Sequence, residues 1–172
     1  KVVSNAVGFC FPPPQSLHDG NYILCVGTIE PRKNYPFAID VFDELVDTLP
    51  TLKLKICGRQ GWGYKELIKK IELSPNSQKI ELISNASDTD LRKLYMGCSL
   101  FLFPSKAEGF GIPLIEAMAF GKHVIASNNT AITEVVSNGG ALIDGYHLED
   151  WSKACLDSLQ YRSPITLNET AI

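Results

Sequence analysis

No apolar run in this chain approaches the roughly 20 residues that a membrane-spanning helix needs, and no amino-terminal stretch has the layout of a signal peptide. Neither sign of charge dominates. Lys and Arg number 16 against 19 Asp and Glu, and the net charge of −3 supplies no field for gathering nucleic acid or an anionic membrane. Any phosphate site must therefore be local, built from a few cations and backbone amides. Histidine is scarce: His18, His123 and His147 are scattered, none with a metal or triad partner in sequence. The five cysteines, Cys10, Cys25, Cys57, Cys98 and Cys155, are well separated, and no pair has metal-ligand or redox-motif spacing. They read as buried free thiols of a reducing compartment, and the protein as cytoplasmic. There is no internal repeat and no low-complexity segment.

At 172 residues, 45% of them apolar and 20% charged, the chain fits one soluble globular domain with a sizeable core. Residues 1–20, with Pro12-Pro13-Pro14 imposing a stiff extended segment, read as an interdomain linker from a longer chain. From Asn21 the pattern alternates. Apolar, strand-like runs are expected at Tyr22–Val26, Leu52–Cys57, Ile80–Ile83, Leu100–Phe103, His123–Ala126 and, more weakly, Ala141–Ile143. Between them lie helical stripes: Phe37, Val41, Leu45 and Leu49; Leu67, Ile68 and Ile71; Leu91, Leu94 and Tyr95; the apolar run Ile112–Phe120; then Ala131–Val136 and Leu148–Leu159. Gly121 is the expected C′ residue of the Ile112–Phe120 helix. Alternating strand and helix predicts an α/β domain over 21–160: a doubly wound, Rossmann-like parallel sheet of about six strands with helices on both faces. Residues 161–172 form a tail. Such sheets bind ligands beyond the carboxyl ends of their strands, where strand order reverses.

Three of the four loops at that end carry unusual residues. Gly27-Thr28-Ile29-Glu30-Pro31-Arg32-Lys33-Asn34 combines a glycine, two adjacent cations and the start of a helix, which suits a diphosphate. The alternative is a solvated loop in which Arg32 or Lys33 pairs with Glu30. Gly58-Arg59-Gln60-Gly61-Trp62-Gly63 either passes under a nucleotide or simply turns, and it lacks the spacing of a standard phosphate loop. In Phe103-Pro104-Ser105-Lys106-Ala107-Glu108-Gly109-Phe110-Gly111-Ile112-Pro113-Leu114-Ile115-Glu116, the amides near Gly109 and Gly111 precede a helix with Pro113 in its first turn. Anions are stabilised there, so Glu108 makes sense as an acceptor for sugar hydroxyls, and Glu116 for the paired hydroxyls of a ribose. Otherwise Glu108 caps the helix and Glu116 is solvated; but the apolar run predicts a largely buried helix, and a carboxylate there needs a partner.

Glu108 and Glu116, with seven residues between them, together with Phe103-Pro104-Ser105, Glu108-Gly109-Phe110-Gly111, Pro113 to Ala119 and the strand ending Val124-Ile125-Ala126-Ser127, resemble the Glu-x7-Glu signature of retaining glycosyltransferases of the GT-B fold, family four. The likeness runs from about Asn21 to Asp157. It implies the carboxyl-terminal, donor-binding half of such an enzyme. It also implies that Glu108 contacts the donor sugar and Glu116 the ribose. Phe110, Gly111 and Ile112, with Gly109, would lie against sugar and phosphates. Lys33 and Arg32 would hold the diphosphate beside Gly27, and Ser84 and Leu91 would lie near the base, with Gly58 in the nucleotide loop. The family often has an arginine directly after the glycine closing strand one; Thr28 stands there, and Arg32 is the substitute. The Glu-Pro-Arg-Lys-Asn loop looks most like mannosyltransferases using GDP-mannose, with UDP- or ADP-sugars as alternatives.

By that resemblance the chain serves a hexosyltransferase of polysaccharide biosynthesis. It needs no cofactor and no metal, and transfers with retention to a glycan or lipid-linked acceptor held by a missing amino-terminal domain. The full enzyme would associate peripherally with a membrane; the fragment alone would be inactive. Lys33, Arg32 and Glu108 are the residues assigned to catalysis. Asp88-Thr89-Asp90 spells a metal motif of a different glycosyltransferase fold, but it follows Ser87 at a helix start and reads as a cap. The competing classes are a non-catalytic nucleotide-sugar or glycan-binding module, a dinucleotide oxidoreductase (no glycine fingerprint follows strand one) and a fold-sharing sugar-nucleotide epimerase.

Overall fold

A computed structural model describes residues 20–133, 136 and 140–160. The linker and tail readings, with Cys10 and His18, otherwise lie outside the described residues. Six short strands, β1 (Tyr22–Val26), β2 (Lys53–Cys57), β3 (Ile80–Ile83), β4 (Leu100–Phe103), β5 (Val124–Ser127) and β6 (Gly140–Ile143), form one parallel sheet in the order β3-β2-β1-β4-β5-β6. The helices are α1 (Tyr35–Thr48), α2 (Tyr64–Leu73), α3 (Asp88–Gly97), α4 (Ile112–Ala119), the short α5 (Thr130–Thr133) and α6 (Leu148–Gln160).

The sheet is covered on both faces, and this explains why its central strands are apolar at every position. In β1, Ile23 and Cys25 join one core with Phe42, Leu45, Leu67 and Trp151 of α1, α2 and α6. Tyr22, Leu24 and Val26 join the other, with Leu94 and Tyr95 of α3 and Leu114 and Ala117 of α4. β4 alternates in the same way: Leu100 and Leu102 face the first core, Phe101 and Phe103 the second.

Two helical expectations need correction. In α1 the buried stripe is Tyr35, Ala38, Ile39, Val41, Phe42, Leu45 and Val46, spaced by three and four, whereas Phe37 and Leu49 pack only at its margin. A strict interval of four drifts off one face of a 3.6-residue helix, so Phe37 and Leu49 fall at the edges. In α4 only Leu114 and Ala117 are buried, and Ile112 is 49% exposed; its apolar circumference is not sunk in the core.

The end of α4 is a Schellman motif. Gly121 takes φ +66°, its N–H donates to the Met118 carbonyl, and the Lys122 N–H donates to that of Ala117. Cys25, Cys57, Cys98 and Cys155 are free and buried. His123 is half-buried with Nδ1 2.7 Å from Ser158 Oγ, and burial holds its pKa down; that histidine is structural.

Candidate active site

The sheet order places β1 beside β4, and the chain leaves β1 toward β2 on one side and β4 toward β5 on the other. This is the point of reversal, so the loops after Val26 and Phe103 lie together. The Lys106 N–H donates to the Arg32 carbonyl at 2.7 Å, stitching the two loops by their backbones.

The side chains converge as well. Lys33 Nζ donates to Glu108 Oε1 at 2.6 Å, and Arg32 Nη1 to Glu108 Oε2 at 3.1 Å. The Lys33 and Glu108 side chains are only 5% and 6% exposed, while that of Arg32 is 44% exposed. Arg32 also donates through Nε to Glu30 Oε2 at 2.6 Å. Burial works against the guanidinium charge, but the bond to Glu30 and the charge of Glu108 outweigh it and hold Arg32 above its ordinary range. Glu30 pairs with Arg32, as the alternative reading of this loop expects, and the two cations also share a carboxylate from the loop after β4. Lys33 lies over the Phe103 ring, 4.7 Å from its centroid.

The local chain explains how Lys33 becomes buried. Pro31–Lys33 form a single 3-10 turn, which Asn34 ends in the left-handed region at φ 55°. Gly27 has φ +141°, and a Cβ there would meet Lys33 Cε at 2.9 Å, so glycine leaves the room the lysine stem occupies. Tyr35 Oη donates to the Gly27 carbonyl at 2.8 Å, pinning this turn to the first residue of α1.

The remaining glycines divide by role. A Cβ on Gly58 would lie 1.9 Å from the Gly27 carbonyl oxygen, and one on Gly61 2.4 Å from that of Ile29. The loop after β2 is pressed against the loop after β1, through the Ile29–Gln60 bridge and the Ile29 N–H to Arg59 carbonyl bond. Packing therefore accounts for Gly58. Gly109 differs: a Cβ there would meet nothing within 4 Å. Gly111, at φ +70°, is the N-cap of α4, and Pro113 occupies its first turn. Among the described residues no side chain caps this end, and Glu108 bonds to Arg32 and Lys33 instead. Phe110 is 64% exposed beside it.

Glu116, one turn into α4, has the partner its setting demands: Tyr95 Oη of α3 donates to Oε2 at 2.8 Å. Tyr95 is 1% exposed, stacked on Phe120 and tilted against Phe101. Burial, then the charge and hydrogen bond of Glu116, push its pKa far up, so it stays a donor. Ser84 follows β3, and Leu91 is partly buried in α3 against the second core; neither is joined by a hydrogen bond to the Lys33–Glu108 group among the described residues. Asp88 and Asp90 open α3, with Ser87 and Asp90 forming a reciprocal capping box. Among the described residues no three His, Cys, Asp or Glu side chains cluster as a metal site.

Sequence reasoning missed three supports. Tyr95 enters the sequence reading only as part of a helical stripe and Tyr35 not at all; both are core residues whose hydroxyls donate to the site. The Ser105 carbonyl accepts from Asn129 Nδ2 at 3.2 Å and Tyr146 Oη at 3.0 Å, and also from Ser127 Oγ, anchoring the loop that carries Glu108. Its own Oγ is buried without a protein partner among the described residues. The hint in sequence was the polar run Ser127, Asn128 and Asn129, which closes a buried strand and follows it.

Residues 9–163 match the family described as Glycosyl transferases group 1. The O-antigen chain mannosyltransferase B of Escherichia coli is 35% identical over 140 residues, 81% of this chain and 37% of that protein. The chain therefore spans little more than a third of that relative. A solved TarM variant of S. aureus, crystallised with UDP among its ligands, superposes with TM-score 0.79 at 21% identity, over 87% of this chain and 30% of that one. The C-terminal domain of a glycosyl transferase group 1 family protein (LpcC) from Francisella tularensis superposes with TM-score 0.70 at 24% identity, over 85% of this chain and 80% of that structure. Both share the fold.

Proposed function

The chain belongs to the Glycosyl transferases group 1 family, and from that premise we propose that it is the carboxyl-terminal domain that binds the nucleotide-diphosphate-sugar donor. One observation carries the reading. Two cations and a carboxylate, Arg32, Lys33 and Glu108, meet at the sheet's switch point, and Glu108 lies three residues before Gly111, the N-cap of α4. A diphosphate is the group such an arrangement accepts, because cations, backbone amides and the helix end all favour it. Its charge competes with Glu108 for Lys33 and Arg32. Once released, Glu108 becomes an acceptor for hydroxyls of the donor sugar, next to the open space at Gly109. Glu116 takes the ribose, and Ser84 and Leu91 border the base.

In transfer, Lys33, Arg32 and the first amides of α4 stabilise charge developing on the leaving diphosphate. Glu108 orients the sugar so that the acceptor attacks from the face of the departing nucleotide, retaining configuration. The acceptor, a glycan or lipid-linked glycan, belongs to an amino-terminal domain, so this chain alone transfers no sugar. The Glu30–Asn34 loop and the mannosyltransferase relative favour GDP-mannose over UDP- and ADP-sugars, and a role in polysaccharide synthesis. Four buried free thiols suit a reducing, cytoplasmic setting, with the full-length enzyme held peripherally at the membrane. No metal or cofactor has a part in this scheme.

The test is an NMR titration of the chain with GDP-mannose, UDP-glucose, UDP-N-acetylglucosamine, ADP-glucose and NAD. Selective amide shifts with one sugar nucleotide, weakened by Lys33→Ala, are expected. A response to NAD or free glycan alone would remove the donor reading.

A further inference from the structure

We propose that Tyr95 is a positioning residue for ribose recognition: its hydroxyl, delivered from the core by α3, fixes the carboxylate of Glu116 in the orientation that accepts a vicinal diol. The inference rests on the donor reading of Glu116 and adds a residue outside the loops that carry the signature.

Glutamate on a helix has three rotatable side-chain bonds, and an untethered carboxylate samples many orientations. Glu116 is tethered. The Tyr95 hydroxyl has one proton, with two carbonyl-type acceptors in reach: Glu116 Oε2 at 2.8 Å and the Pro113 carbonyl at 3.4 Å. The shorter, charge-assisted bond takes it. The donor itself is rigid, because the Tyr95 ring lies between Phe120, parallel at 5.5 Å, and Phe101 at 5.7 Å. Glu116 is only half-buried. One oxygen is thereby held against the core, while the carboxylate keeps lone pairs for further donors. Two hydroxyls on neighbouring carbons need both carboxylate oxygens in a set plane, and a single fixed contact supplies that plane before the ligand arrives. A purely structural tie between α3 and α4 would need no ionisable partner: Tyr95 could have donated to the Pro113 carbonyl alone.

The experiment compares the chain with Tyr95→Phe, Glu116→Ala and the double variant, each titrated by NMR with GDP, UDP and ADP and with their 2′-deoxy and 3′-deoxy forms. Tyr95→Phe keeps the ring and its stacking, and the amide spectrum of each variant reports whether the fold is intact. The wild type is expected to prefer the ribo form, and Glu116→Ala to abolish that preference. Tyr95→Phe should reduce it by about threefold to tenfold, the size of coupling between groups in direct contact. The double variant should match Glu116→Ala alone. If Tyr95→Phe weakens ribo and deoxy forms alike, or leaves their ratio unchanged, Tyr95 is structural and the inference is overturned while the donor reading stands. A ribose preference that survives Glu116→Ala overturns it too. Binding of no nucleotide by the wild type at millimolar concentration sinks the donor reading and the inference with it.

Discussion

Glu108 pairs with both cations of the site, Arg32 having Glu30 as a second partner, and this has consequences opposite in sign for its variants. Glu108→Gln removes one competing negative charge, freeing Lys33 and the Nη1 of Arg32 for phosphate while Glu30 keeps its bond to Arg32 Nε. Isothermal titration should show bare nucleoside diphosphate binding tighter by about threefold to tenfold, while the preference for the sugar nucleotide over the bare diphosphate falls. Weaker binding of both by the same factor would mean that Glu108 only shapes the loop. Lys33→Met leaves a carboxylate with 6% exposure facing Arg32 alone. Stability should drop by about 3 kcal/mol, read from chemical denaturation, and diphosphate affinity should fall by tenfold or more. Adding Glu108→Gln to Lys33→Met should recover much of the stability and none of the affinity.

At the scale of single elements, three glycines that look alike in sequence are expected to respond differently. Gly58→Ala drives a Cβ into the Gly27 carbonyl, so it should lower Tm and disturb the whole switch-point region. Gly111→Ala forces a side chain into the left-handed region at the start of α4, at a cost of about 1 kcal/mol or more. Gly109→Ala meets open space and should leave Tm unchanged while weakening sugar-nucleotide binding. Thermal melts paired with titrations separate the three. In α3, Ser87→Ala removes the capping bond and should cost about 1 kcal/mol. The hydrogen bond from Ser87 holds the Asp90 carboxyl below its usual range. A depressed folded pKa stabilises above the unfolded value and is lost as pH falls through the folded one. The stability gap between wild type and Asp90→Asn should therefore be full near neutrality and close in acid, as followed by denaturation at several pH values. On the capping reading, added EDTA should not change nucleotide binding: Asp90 closes the capping box with Ser87, and Asp88 lies in the first turn of α3.

For the whole molecule, the sheet order decides where chemistry can occur. Because β1 and β4 are neighbours, residues 75 and 76 positions apart in sequence become ion-pair partners. On the donor reading the isolated chain supplies half of a cleft, so product analysis by mass spectrometry should find no glycoside formed from any sugar nucleotide and glycan acceptor. On the same reading, transfer should appear when the chain is joined to an amino-terminal acceptor-binding domain. Turnover by the isolated chain would show that this domain carries a complete site.

Much of this architecture was legible from residue order alone. Strands buried on both faces must be apolar throughout, helices between them must carry a stripe, and alternation of the two leaves few topologies besides a doubly wound sheet. Local chemistry was equally readable where it stayed within a few residues: the Ser87 cap and the Gly121 helix end are both short-range patterns. What sequence did not reveal are the contacts between elements far apart in the chain. Glu108 shares Lys33 and Arg32, Gly58 sits under Gly27, and Tyr95 reaches Glu116. Each depends on which strands and helices become neighbours and on the rotation of each helix about its axis, which in α1 differed from the simple interval-of-four reading. Periodicity reports that a face is buried; only packing of the assembled sheet and helices decides which hydroxyl, carboxylate or cation meets which across it.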